Sequence, residues 1–199
     1  MKTKKLSKKI IIPSAALIVL VAAAALTYTL LPHKVSADNA ASTASFAFDG
    51  SKAPGWWAGD QISSTKSSAS TDPTASRNIV QGTQANPGDC FVTYSYYANN
   101  SKDPMQALSD VEAFSVKGST LKLQPTNTTT YTMSASNGDQ AFQLHQFKVV
   151  GENGNTMSRG EEFGFFKSGT GYVDIRGYCK TSDELTQTAS LFTAVSFKN

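Results

Sequence analysis

Between a lysine-rich start (Lys2, Lys4, Lys5, Lys8, Lys9) and the segment Pro32-His33-Lys34-Val35-Ser36-Ala37 lies a run of 22 uncharged residues, Ile10 to Leu31. Only Pro13, Ser14, Thr27 and Thr29 interrupt its apolar character. About 20 apolar residues in a helix cross the hydrocarbon core of a bilayer, so this segment is long enough to span one. Pro13 stands near its start, where the first helical turn has unpaired N–H groups and tolerates proline. Five lysines before the run and Lys34 just after it place the amino terminus in the cytoplasm by the positive-inside rule. The expectation is a single-pass chain, tethered to the membrane through Ile10 to Leu31, whose remaining residues fold on the outer side.

A cleaved signal peptide is the alternative, with secretion after Ala37. Val35-Ser36-Ala37 offers small residues at an A-x-A-like site behind a positive n-region. The apolar run exceeds the ~7–15 residues of an ordinary h-region, and that length favours a retained anchor. No cysteine follows the run to carry a lipid, and no glutamate enters it as in a type IV pilin.

The 162 residues after Ala37 are enough for one domain with a real core and a linker. Six of the 18 Lys and Arg precede Asp38, leaving 12 against 15 Asp and Glu, so the exported part carries a net charge of −3 although the chain carries +3. A mildly acidic, mixed surface has no preference for polyanions and argues against nucleic-acid binding. Cys90 and Cys179, the only cysteines, read as a disulfide in an oxidising compartment. The bridge would be worth roughly 4 kcal/mol by chain entropy. Two isolated cysteines and a histidine lack the spacing of a metal site, and no cofactor motif is legible.

Residues 38–88 read as a spacer. They hold an aromatic patch (Phe46, Phe48, Trp56, Trp57) and a loop from Ser63 to Ser76 in which nine of fourteen residues are Ser or Thr. Residues 89–199 read as the globular domain. Cys90 to Tyr97 is strand-like. Asp103-Pro104 opens a helix carrying Leu108, Val111 and Phe114, with Gly118 as its stop. Strands follow at Thr120 to Gln124, Thr129 to Ala135 and Gln140 to Val150, the last two joined by an Asn137-Gly138 turn. In the third, the apolar phase shifts near His145-Gln146, as a bulge would make it. Glu161 to Lys167 and Tyr172 to Cys179 form a hairpin with Val173, Ile175, Gly177 and Cys179 inward. Thr181-Ser182-Asp183-Glu184 is a capping box before a helix bearing Leu185, Ala189 and Phe192, and a short strand ends the chain.

This order predicts an α+β fold, an antiparallel sheet flanked by two helices, with a β-sandwich carrying short helices as the alternative. It resembles the Mog1/PsbP-like arrangement used by many exported bacterial lipoproteins, over about 110 residues and by topology alone. The chain also resembles uncharacterised single-pass exported bacterial proteins. Neither resemblance implies an activity.

Among chemistry-bearing residues, His145 has no acid or nucleophile in a partner motif. Glu161 and Glu162, adjacent on a strand, point to opposite faces and cannot pair as glycosidase carboxylates do; Asp174 is the third acid near this hairpin. Trp56, Trp57, Tyr172 and Tyr178 are the candidate binding residues, because tyrosines alternating with charges suit an exposed contact face. The expectation is a non-enzymatic, membrane-anchored extracytoplasmic domain that binds an envelope protein, peptide or glycan. An envelope hydrolase using Asp174, Glu161 or Glu162 and a structural subunit of a surface assembly are the alternatives. Intact-mass measurement on the purified chain checks the anchor: the full mass is expected, and loss of residues 1 to 37 would establish cleavage after Ala37.

Overall fold

The computed structural model describes residues 44–63, 73–98, 121–151 and 156–199. The run Ile10 to Leu31, most of the Ser/Thr-rich loop and the helix expected from Asp103 to Gly118 lie outside them. The chain divides into two compact units, Met1–Asp38 and Asn39–Asn199, and all described residues belong to the second. Among the described residues no helix is long and apolar enough to cross a membrane.

The second unit is built on one sheet. Its strands are β1 (Ser45–Phe48), β2 (Trp56–Ala58), β3 (Ile62–Ser63), β4 (Ala75–Gly82), β5 (Pro87–Tyr97), β6 (Lys122–Ala135), β7 (Gln140–Val150), β8 (Thr156–Ser168), β9 (Gly171–Cys179) and β10 (Val195–Lys198). A 3-10 helix (Asp183–Ser190) and a one-turn helix α1 (Leu191–Ala194) connect β9 to β10. The strand order is β1-β10-β6-β7-β8-β9-β5-β4-β2, with β3 also on β4. Every described pairing is antiparallel except β10 on β6.

The expected α+β sheet flanked by two helices is therefore corrected, and so is the sandwich alternative. Strands dominate the described residues, and a single sheet curls into a nearly closed barrel. The helical segment after β9 does not flank it. Leu185, Leu191 and Phe192 are buried in contact with the sheet's own clusters. The residues read as a spacer supply β1 to β4, so the folded part begins by Ala44.

Local features follow from the residue types. Gly138 adopts φ 101° in the turn between β6 and β7, and Gly169 adopts φ 60° in the two-residue turn between β8 and β9. The bulge expected on β7 sits on its partner, between Pro125 and Asn127 of β6. The phase shift in β7 has another cause. Phe142 and Leu144 face the inner core, whereas Phe147 belongs to an outer cluster with Phe163, Phe165 and Tyr172. A strand buried on both faces loses the simple alternation. Half of the capping box forms, Thr181 N–H donating to Glu184 Oε2 at 2.9 Å. The helix beyond it is 3-10 rather than α, and its buried positions Leu185, Thr188 and Leu191 recur every three residues.

Side chains close the barrel. At its seam, Phe46 of β1 donates its N–H to Gln61 Oε1 at 3.0 Å, and its carbonyl accepts from Arg77 Nη1 at 2.8 Å. Arg77, on β4, also donates through Nε to Gly59 O at 3.1 Å. One guanidinium thus ties three segments of the two sheet edges, and with Gln61 it spares Phe46 the unmet backbone groups an edge strand would otherwise present. Behind the seam Phe46 is buried against Tyr94 and Phe197, with ring centroids 5.8 and 5.0 Å away. Arg77→Met keeps the stem and removes both donors. It is expected to cost about 2–3 kcal/mol, the scale of hydrogen bonds from a charged donor. Urea unfolding checks this, through a lower midpoint at an unchanged slope.

Candidate binding surface

Strand register decides which aromatic residues share a face. Trp57 of β2 lies opposite Val80 of β4, Val80 opposite Phe91 of β5, Phe91 opposite Tyr178 of β9, and Tyr178 opposite Glu161 of β8. Directly opposed residues project to the same side, so these form one row on the outer face, running across the strands. Trp57, Val80, Phe91 and Tyr178 are all half-buried. At ~4.8 Å per strand step, the row from Trp57 to Tyr178 is about 14 Å long.

The row is held from both sides. Cys90 and Cys179, directly opposed and joined as a disulfide, precede Phe91 and follow Tyr178. The bridge fastens β5 to β9, strands far apart in sequence, next to the aromatic pair they carry. The Phe91 and Tyr178 rings lie 5.3 Å apart. Arg159 stands over Tyr178 at 4.9 Å from the ring centroid and forms an ion pair with Glu161. Its guanidinium is therefore held against an aromatic face while remaining exposed. Burial pushes the Glu161 carboxyl up, and Arg159, with Arg176, pulls it back down. Trp57 Nε1 is buried without a hydrogen-bond partner among the described residues.

The four candidate binding residues separate. Trp57 and Tyr178 meet on this row. Trp56 projects the other way and packs against the core and the Cys90, Cys179 and Leu185 cluster. Tyr172 is on the outer face but only 7% exposed, stacked on Tyr97 at 4.9 Å beside Phe165. Tyr94 and Tyr96 are core residues. Sequence reasoning does not single out Phe91, Val80 or Arg159. A signal for Phe91 is nonetheless present, because a bridged, inward Cys90 sends its neighbour outward.

The carboxylates do not assemble into a catalytic pair. Glu162 is on the inner face, opposite Gly177. Asp174 is on the outer face opposite Phe165, four residues along β8 from Glu161, or about 13 Å. Two glycosidase carboxyls stand about 5 to 9.5 Å apart. Asp174 is 2% exposed and accepts from Arg176 Nε at 2.9 Å and Nη2 at 2.7 Å. Burial raises its proton affinity and Arg176 lowers it. His145 lies on the outer face opposite Phe163, its Nδ1 3.4 Å from the Thr128 hydroxyl. Among the described residues no three of His, Cys, Asp and Glu converge as metal ligands.

No protein-family model and no curated protein matches the sequence. The chain has a weak PsbP-like structural resemblance. It is similar to the solution structure of cyanobacterial PsbP (CyanoP) from Synechocystis sp. PCC 6803, with 11% identity and a TM-score of 0.42, over 82% of this chain and 94% of that one. The functional reading rests on the surface itself.

Reducing the Cys90–Cys179 bridge is expected to lower stability by about 2–4 kcal/mol, because the closed loop constrains the unfolded chain. Thermal unfolding with and without reductant measures it. The same lower transition is expected for Cys90→Ala/Cys179→Ala without reductant.

Proposed function

We propose that this chain is a membrane-tethered binding domain of the bacterial cell envelope, and that the row Trp57, Val80, Phe91, Tyr178 is its contact surface. The row carries the reading. Three half-buried aromatic residues and a valine, aligned across four strands and ended by a cation held over a ring, present apolar area at low side-chain entropy cost. A row of this length suits an extended ligand, a glycan chain or a peptide, laid across the strands. The lysine-rich start and the run Ile10 to Leu31 support the tether and the outward orientation. The Cys90–Cys179 disulfide supports an oxidising compartment. The separated carboxylates favour binding over hydrolysis.

The test is a titration of the full chain with soluble cell-wall glycan fragments and, separately, with peptides from envelope proteins, following the Trp57 indole N–H signal by NMR. A saturable shift with one of these probes is expected. Trp57→Ala and Tyr178→Ala should each weaken binding about tenfold, as loss of an aromatic anchor does. Trp56→Phe should leave affinity near that of the native chain. Binding unaffected by Trp57→Ala and Tyr178→Ala would place the contact elsewhere, and no shift with any probe would end the proposal.

A further inference from the structure

Inside the barrel, behind the outer row, lies a carboxyl that the binding surface does not use. Glu162 is 0% exposed. It projects inward from β8 between Gln146 of β7 and Gly177 of β9, its register partners. A Cβ at Gly177 would run into the Glu162 carboxyl, so that glycine provides the room the acid occupies. Glu162 Oε2 lies 3.1 Å from Gln146 Nε2 and 2.9 Å from Thr188 Oγ1. Thr188, fully buried on the 3-10 helix, also has its hydroxyl 2.7 Å from Leu185 O. Glu162 Oε1 has no partner among the described residues.

Proton counting assigns the charge. Thr188 has one hydroxyl proton and two acceptors within reach. If that proton goes to an ionised Glu162, a charged Oε1 stays undonated in a dry core. If Glu162 is neutral, one chain of donors runs through the cluster and the Oε1 left undonated carries no charge. Gln146 donates to Glu162 Oε2, whose own proton goes to Thr188 Oγ1, and Thr188 donates to Leu185 O. The surroundings agree. Of the titratable groups facing Glu162, Tyr94 comes from β5 and Tyr131 from β6, and each has its proton held more tightly by burial and by the Glu162 charge. β7, β9 and the 3-10 helix contribute the uncharged Gln146, Gly177 and Thr188. The arginines of β8 and β9, Arg159 and Arg176, pair with Glu161 and Asp174 on the outer face.

We propose that the Glu162–Thr188 contact is a protonation-dependent latch: the neutral carboxyl fastens the 3-10 helix Asp183–Ser190 to the barrel interior, and ionisation releases that helix. The helix is the element that yields, because it is a short 3-10 segment seated on the sheet rather than laddered into it. Burial lifts the Glu162 carboxyl to about 7, against 4.5 for a free one. The closed state therefore binds the extra proton between those values. Latching is strongest below about pH 4.5, weakens as pH rises to about 7, and levels off above.

Hydrogen exchange of the full chain, disulfide intact, from about pH 5 to pH 8 tests this. After correction for intrinsic rates, protection of residues 183–194 is expected to fall by up to about tenfold per pH unit until about pH 7, while β5 and β9 stay protected. Glu162→Gln, neutral at every pH and still able to donate to Thr188, should flatten that dependence. Flat protection in the native chain, the same slope in Glu162→Gln, or equal loss across all strands would overturn the latch. Should Glu162→Gln fail to fold, the carboxyl carbon signal of Glu162 in the native chain decides. A midpoint near 7 supports the proposal, and one in the ordinary glutamate range refutes it.

Discussion

Arg77 holds together the two edges of a sheet that buries its inner face by curling. A single sheet leaves that face in water unless a second layer covers it or the sheet curls until its ends meet. Here the curl brings β1 to β4, but the strands at the seam are too short to form a ladder. The guanidinium spans the gap by donating to two carbonyls, with Gln61 Oε1 accepting the Phe46 N–H beside it. Its fixed fork of donors suits the task, since two carbonyls on different segments are reached from one planar group. With the seam held, Phe46, Tyr94 and Phe197 pack as one cluster although they come from distant strands.

The second constraint is topological. β5 and β9 are neighbours in space with a sequence separation of 89 residues between Cys90 and Cys179, so the pairing is costly to find and to keep. The disulfide sits at one end of that pairing, and its position couples stability to the candidate surface. The strands it clamps carry Phe91 and Tyr178 on the adjoining outward positions. β10 solves a related problem. It enters parallel to β6 and antiparallel to β1, which seats the carboxyl-terminal strand between early and middle parts of the chain.

Placement of polar groups inside such a barrel is restrictive. Glu162, Thr188 and Gln146 form a cluster whose members find partners mainly in one another, and Gly177 leaves the space they need. The same strand carries Glu161 outward to Arg159. Two adjacent glutamates, both buried, thus occupy opposite electrostatic settings, one beside an arginine and one in a dry interior without a cation, and the arginine on the outer face separates them.

The residues alone determined the local events. Turn chemistry at Asn137-Gly138, alternation in β9, the pairing of the two cysteines and the opposite directions of Glu161 and Glu162 all follow from period and residue type. Tertiary structure decided the rest. Residues 38–88, polar and aromatic in patches, read as a spacer because most of their strands are short; β1 and β4 become strands by pairing with β10 and β5, which no local window contains, and β2 and β3 then pair on β4. The outward tyrosines look alike in sequence, yet Tyr178 stays half-exposed and Tyr172 is buried, because strand order sets Tyr97 and Phe165 against the second. Thr188 became a core residue because the helix takes a period of three and turns it toward Glu162. Periodicity says which face a side chain takes, but which neighbours meet it there depends on long-range register, and that is set only when the sheet closes.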